Sequence, residues 1–268
     1  MTTPAPVRVP ILMYHEIAGR PETRSRLAVR PDSFAAQLRA LHDDGFHTLT
    51  AHGLASALAS GEQRVPERAV VLTFDDGYAD FHSQALPLLG EYGFSATVFV
   101  TTGWVAGAGV RSATPPLGLM LSWSQIEEAS RCGIEFAAHS RTHPQLDRLS
   151  EPKLRDELTS SKVELEDRLD APVTGLAYPF GYSNSNVRKV ARQLGYGYGC
   201  AVSNAMAGTG SDLFAIPRLT VAESTTVAVF RQLVHGEHLG RIYLKDHAMT
   251  KGWAVARRSM ETVGRVRR

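Results

Sequence analysis

The stretch Ala69-Val70-Val71-Leu72-Thr73-Phe74-Asp75-Asp76-Gly77 decides how this chain is read. Its first six residues form a continuous, partly β-branched run with one threonine, the pattern of a strand buried on both faces, as in parallel sheets. Two carboxylates follow, then a glycine. Adjacent strand residues face opposite sides, so both acids can serve one site only where the strand breaks, and Gly77 lets it break. Two carboxylates brought close repel unless a cation lies between them or one keeps a proton. An Asp ahead of a helix is also an ordinary N-cap, so the pair alone does not decide the chemistry.

Strand and helix patterns alternate outward from this stretch. Val9–Tyr14, Ala96–Thr101, Glu135–Ala138, Thr174–Tyr178, Tyr198–Val202 and Ile216–Val221 read as strands. Helical spacing predicts helices over Ser33–Asp44 (Asp32 as N-cap, Gly45 as stop), Ala79–Tyr92, Trp123–Arg131 behind Ser122, a run from Ser150 to Leu169, Asn186–Leu194 and Thr225–Val234. Residues 102–122, rich in Gly, Ser, Thr and Pro, read as a long loop, a feature often tied to function. This alternation predicts an α/β fold, a distorted barrel of seven or eight mostly parallel strands joined by right-handed crossovers. No repeat or linker appears. The reading is one domain over 9–245, with a lead-in at 1–8 and a basic tail at 246–268.

The composition narrows the functional classes. The chain has 268 residues, 43% hydrophobic and 21% charged, which excludes disorder and coiled coil as whole-chain descriptions. A chain this long buries roughly 70–75% of its unfolded surface without staples. Twenty-nine Lys and Arg against 27 Asp and Glu give no electrostatic case for nucleic-acid binding. Cys132 and Cys200 are too few for a disulfide framework or a cysteine zinc site, and read as buried thiols. The apolar run Ile11–Tyr14 is shorter than the roughly 7–15 residues of a signal-peptide core, and no run nears the roughly 20 apolar residues of a membrane span. A cytoplasmic location is the expectation. In the last eighteen residues, Lys251, Arg257, Arg258, Arg265, Arg267 and Arg268 stand against one acid, Glu261; this reads as a solvated end, with weak contact to a membrane surface or partner protein as the lesser reading.

Three further groups sit where strands are expected to end. His139-Ser140-Arg141-Thr142-His143 carries two histidines four apart. They can share a metal on one turn, although Ser140 stands where the zincin glutamate would be; alone, they could equally be two surface histidines. With Asp76 they make an Asp–His–His set, which leaves an open position as catalytic zinc sites do. Ala177-Tyr178-Pro179-Phe180-Gly181-Tyr182 is a sharp turn that can aim a backbone N–H into a site, or simply a turn. Met13-Tyr14-His15-Glu16 ends the first strand, and its histidine could be a packed core residue.

Together these residues resemble the NodB-homology polysaccharide deacetylases, carbohydrate esterase family four. The resemblance rests on Leu72-Thr73-Phe74-Asp75-Asp76-Gly77, His139-Ser140-x-x-His143 and Tyr178-Pro179-Phe180-Gly181, and spans about Pro10 to Val221. The segment Leu12–His15 and the run from Pro87 to Val100 are similar to the branch of poly-N-acetylglucosamine deacetylases that includes PgaB and IcaB.

The resemblance implies a role for each residue. Asp75 is the general base. Asp76, His139 and His143 hold one divalent cation, zinc first, with nickel or cobalt as substitutes. Phe180 offers its N–H to the oxyanion. His15, in the permuted order of that branch, is the general acid in place of a late histidine; the late candidates here are His235, His238 and His247. The family often has an arginine that orients the base, two residues before the turn proline. Ala177 occupies that position here, and Arg218 is the expected substitute, since a guanidinium can pair with a carboxylate through two bonds. The implied reaction is hydrolysis of an N-acetyl group on an amino sugar or polysaccharide, releasing acetate. A non-sugar amidase, a small-molecule sugar deacetylase and a non-catalytic glycan binder are the rivals, because fold does not fix substrate.

Overall fold

The structure is a computed structural model in which residues 7–19, 25–60, 65–110, 112 and 115–244 are described. The basic tail, His247 and most of the expected lead-in lie outside them. In chain order the elements are β1 (Arg8–Val9), β2 (Ile11–Tyr14), α1 (Pro31–Asp43), β3 (His47–Leu49), α2 (Ala51–Ser60), β4 (Ala69–Phe74), α3 (Leu86–Glu91), β5 (Thr97–Val100), α4 (Trp123–Arg131), β6 (Glu135–Ala138), α5 (Glu151–Leu169), β7 (Gly175–Ala177), α6 (Ser185–Gln193), β8 (Tyr198–Cys200), β9 (Ala207–Gly208), β10 (Leu219–Thr220), α7 (Val227–His235) and α8 (Leu239–Ile242).

The main sheet runs β10-β2-β4-β5-β6-β7-β8, with β3 beside the first half of β4. Its pairings are parallel, as the strand–helix alternation requires. The two edges of this curled sheet meet on one short segment. Ile216 bridges Cys200 at the end of β8, while Leu219 and Thr220 pair with Leu12 and Met13 of β2. Pro217 has no N–H to give a ladder, which is why the expected strand over Ile216–Val221 is reduced to a bridge and two residues. β1 and β9 form a separate antiparallel pair, set off from β2 by Pro10.

The period of two along each strand sorts the core. Leu12, Tyr14, Val70, Leu72, Phe74, Val98, Val100, Phe136 and Ala138 face the helices and join Phe34, Leu38, Leu41, Leu154 and Leu158 in one buried cluster. The alternate residues Ile11, Val71, Phe99, Ala137, Ala177, Tyr198 and Cys200 fill a second cluster, joined by Ala51, Leu54 and Ala55 of α2. Val71, Thr73 and Asp75 thus share one side of β4, and Asp75 continues the line past the strand end.

Several local expectations are corrected. β3 and α2 have no counterpart in the sequence reading: three residues carry no alternation, and α2 (AHGLASALAS) lacks charged residues to mark its outer face. Helix α1 starts at Pro31, with Arg30 rather than Asp32 at the cap position, as suits proline in a first turn. The helix expected over Ala79–Tyr92 opens with a π-helical turn, Phe81–Ala85, before α3. Ser122 caps α4 with a reciprocal Gln125 bond, whereas the Ser150 side chain makes no capping bond to α5. Cys200 is buried, but Cys132 is exposed. Among the described residues no helix is long and apolar enough to cross a membrane.

Candidate active site

Parallel strands bring their C-terminal ends to one face, the usual place for a site in such barrels. Here that face carries a cleft of about 730 Å³ whose lining includes His15, Asp75, Asp76, His139, His143 and Phe180. His15 follows β2, Asp75 and Asp76 follow β4, His139 and His143 follow β6 and Phe180 follows β7, and backbone bonds between neighbouring strands set them side by side. The Asp75 N–H donates to Tyr14 O at 2.9 Å, the Thr101 N–H to Asp76 O at 3.2 Å, and the His139 N–H to Val100 O at 2.8 Å.

The strand break lies at both Asp76 and Gly77, whose φ values are 75° and 89°. Non-glycine residues rarely adopt this left-handed backbone, and such strain gathers at functional sites. The reversal after Asp75 turns the Asp76 carboxylate onto the same cleft rather than to the far side of the sheet. Ser140, His143 and Phe180 also have positive φ, at 64°, 58° and 60°.

Asp76, His139 and His143 converge. The Nε2 atoms of both histidines lie 3.4 Å from Asp76 Oδ1, and the three potential ligand atoms are all within 4.8 Å of one another. Atoms about 2.1 Å from a tetrahedral zinc stand about 3.4 Å apart, so the set has the right size. The tautomers argue the same way. His139 Nδ1 lies 2.9 Å from Ala177 O, and a carbonyl only accepts, so Nδ1 carries the hydrogen. A neutral His139 then presents the lone pair of Nε2 to a carboxylate oxygen, an arrangement that calls for a cation between them or a proton kept on Asp76. This outer bond is the kind that fixes metal-binding histidines. His143 is packed among rings, 4.8 Å from Trp104, 5.0 Å from His139 and 4.6 Å from Phe180 between centroids.

Asp75 is held differently. Arg218, fully buried, donates from Nη1 to Oδ1 at 2.6 Å and from Nη2 to Oδ2 at 2.8 Å. The same guanidinium donates to Thr73 Oγ1 and Ala201 O, both at 3.3 Å, and lies over the Phe99 ring. Arg218 does not line the cleft; it sits behind Asp75, in the segment on which the sheet edges meet.

Charge follows this geometry. Burial alone would raise Asp75, but Arg218, aided by His139, outweighs it and holds the carboxyl at about 2. Burial, with Asp75 adding repulsion, pushes Asp76 up to about 8 in the absence of a cation. The neighbouring acids are therefore driven apart, one kept ionised by an arginine and the other short of positive charge. Burial lowers His139, and lowers His143 to about 3 with help from His139. Burial also lowers His15 to about 4 against the pull of Asp75, and its Nδ1 is buried with no partner among the described residues.

The structure therefore gathers six of the seven residues expected from the sequence on one cleft and places the seventh, Arg218, directly behind it. His235 ends α7 and His238 precedes α8; neither lines the cleft. The sequence reading missed Glu16, Arg26, Tyr78, Trp104 and Asn204, which also line it. The Gly- and Pro-rich composition of 102–122 was the one signal toward Trp104.

A family model described as polysaccharide deacetylase matches residues 62–199. The chain is 29% identical to YxkH of Bacillus subtilis over 228 residues, which cover 85% of this chain and 76% of that one. It is 22% identical to the poly-β-1,6-N-acetyl-D-glucosamine N-deacetylase of Escherichia coli K12 over 256 residues, covering 83% of this chain and 38% of that longer protein. Among solved structures, the Streptococcus pyogenes deacetylase PplD, seen with acetate, superposes with a TM-score of 0.77 at 30% identity, over 86% of this chain and 99% of that one. The strand-end cleft, the Asp–His–His cluster and these matches lead to one conclusion: the chain belongs to the polysaccharide deacetylase family.

Proposed function

We propose that this protein is a metal-dependent N-deacetylase that hydrolyses the N-acetyl group of an amino-sugar residue, releasing acetate and a free amine. The observation that carries the reading is the pairing of two unlike carboxylates: Asp75 clamped by Arg218 beside Asp76 turned toward His139 and His143. Asp76, His139 and His143 would hold the cation, zinc first by their nitrogen and oxygen donors, with nickel or cobalt as alternatives. When bound, such an ion supplies a Lewis acid that polarises the acetyl carbonyl and makes a water acidic enough to attack near neutral pH.

The rest of the chemistry belongs to the chain. Asp75 accepts the proton of the attacking water, and Arg218 keeps it ionised and fixes its plane. The Phe180 N–H, turned by its left-handed backbone, offers a hydrogen bond to the developing oxyanion. His15 delivers a proton to the leaving nitrogen, since an amine departs poorly without one. Its lowered affinity for protons means that it starts neutral. The proton that Asp75 takes from water is the one that reaches the leaving nitrogen, with His15 as the donor at that atom. Atoms then balance: one water enters, and its elements leave as the carboxyl of acetate and the N–H of the amine.

Acetate release from a panel of N-acetylglucosamine oligomers, N-acetylated monosaccharides and non-sugar amides tests this reading. Turnover is expected on the acetylated sugars and suppressed by chelator. Turnover confined to non-sugar amides would overturn the sugar assignment.

A further inference from the structure

We propose that Glu157 is a positioning residue of the metal centre: its carboxylate, reaching from helix α5, clasps the loop 140–143 and sets how tightly His143 takes part in holding a cation. The inference rests on the metal reading above and adds a residue outside the cleft to it.

Glu157 Oε2 accepts the backbone N–H groups of Arg141, at 2.9 Å, and Thr142, at 2.8 Å, while Oε1 accepts the Thr142 hydroxyl at 2.5 Å. One carboxylate thus gathers three donors from two consecutive residues, the charge-assisted arrangement that makes strong, oriented hydrogen bonds. The two residues lie between Ser140 and His143, both in the left-handed region at 64° and 58°. L-residues avoid that region and keep it only where the surroundings over-determine it. Both reversals are needed if His139 and His143, four apart and not on a helix, are to point at the same carboxylate.

The loop's carbonyls are tied from its other side. Thr102 N–H donates to Ser140 O at 3.3 Å and Gly103 N–H to Arg141 O at 2.8 Å, and Ser112 Oγ donates to Thr142 O at 2.7 Å. The approach at Gly103 is so close that a Cβ there would lie 2.5 Å from Arg141 O. Glu157 is the group that satisfies the opposite, N–H, side of Arg141 and Thr142. The two histidines do not depend on it equally. His139 is fixed by Ala177 O. His143 Nδ1 has no partner among the described residues, so its ring is placed by neighbouring rings and by the loop backbone. Loosening the loop should release His143 first.

The experiment compares wild type, Glu157→Ala, Glu157→Gln and His143→Ala. Zinc affinity is measured by chelator competition well below the melting temperature. The visible spectrum of the cobalt-loaded protein reports ligand geometry, and Tm of the metal-free protein reports structure alone. Glu157→Ala is expected to bind zinc about 10–100-fold more weakly, the usual effect of removing an outer-shell partner, with an altered cobalt spectrum and activity restored by excess zinc. Glu157→Gln keeps a carbonyl oxygen for the N–H pair and should lose less. A lowered Tm with wild-type affinity and spectrum would reduce Glu157 to a structural tie and overturn the proposal. If Glu157→Ala does not fold, wild-type zinc affinity in Glu157→Gln overturns it equally. Loss of zinc in His143→Ala alone would leave the metal reading standing and remove Glu157 from it; failure of wild type to bind zinc would remove both.

Discussion

Arg218 and Asp75, 143 positions apart in sequence, share two hydrogen bonds at 2.6 and 2.8 Å, the arginine fully buried and the carboxylate open only to the cleft. The pair joins the end of β4 to the segment on which the barrel edges meet, so closure of the fold and ionisation of the proposed base depend on the same contact. Arg218→Ala leaves a buried carboxylate without its partner, which typically costs about 3–5 kcal/mol. The variant should melt well below wild type and lose activity even where folded, while binding metal normally. Arg218→Lys should recover part of the stability but little of the activity, because an ammonium cannot hold both oxygens. Wild-type turnover in Arg218→Lys would remove the orienting role.

Substitution should separate the roles of the two acids. Asp76→Asn and His143→Ala should both lower bound metal and activity together. Asp75→Asn should retain metal and lose turnover, because an amide cannot accept the water proton. Metal analysis of purified variants beside acetate release checks this; identical behaviour of the two asparagine variants would show that the division is wrong.

His15→Ala should reduce turnover by about 10²–10⁴-fold, the usual weight of one general acid or base, with metal content unchanged. The defect should shrink on an activated ester, whose leaving group needs no proton. An equal loss on ester and amide would place His15 in binding or packing instead.

Asp80 offers a pH test away from the metal ligands. Burial, with Glu16 nearby, raises its carboxyl to about 7 despite bonds from the backbone of Ile17 and Phe81, and its Oδ1 is buried without a partner among the described residues. A carboxyl raised in the folded state contributes stability that is complete below its unfolded value, near 4, and is lost as pH rises through 7. Asp80→Asn removes the charge, so its stability relative to wild type should improve by up to about 4 kcal/mol between pH 4 and 8, roughly 1.4 kcal/mol for each pH unit of the shift. Parallel pH–Tm curves for the two proteins would contradict this.

Much of the site was legible because its signals are local. A buried run ending in Asp-Asp-Gly, a His-x-x-x-His after Glu135–Ala138 and a Pro-x-Gly turn after β7 each sit at a strand end, and parallel topology brings strand ends together. What escaped was tertiary. β3 has three residues and no pattern to read. The exposure of Cys132 follows from its place just past α4, not from its type. Glu157 lies in an acidic, otherwise ordinary helical stretch, one position before the buried Leu158; nothing local says that a loop with two backbone N–H groups to satisfy lies across from it. Arg218 was foreseen only because the resemblance required an arginine and Ala177 could not supply one.

The most direct test of the account is metal restoration. Protein stripped by chelator should release no acetate from N-acetylglucosamine oligomers. On titration with zinc, activity should rise in proportion to metal bound and level off at one ion per chain, with no such rise in His143→Ala. Full acetate release from metal-free protein, or a plateau unaffected by His143→Ala, would contradict it.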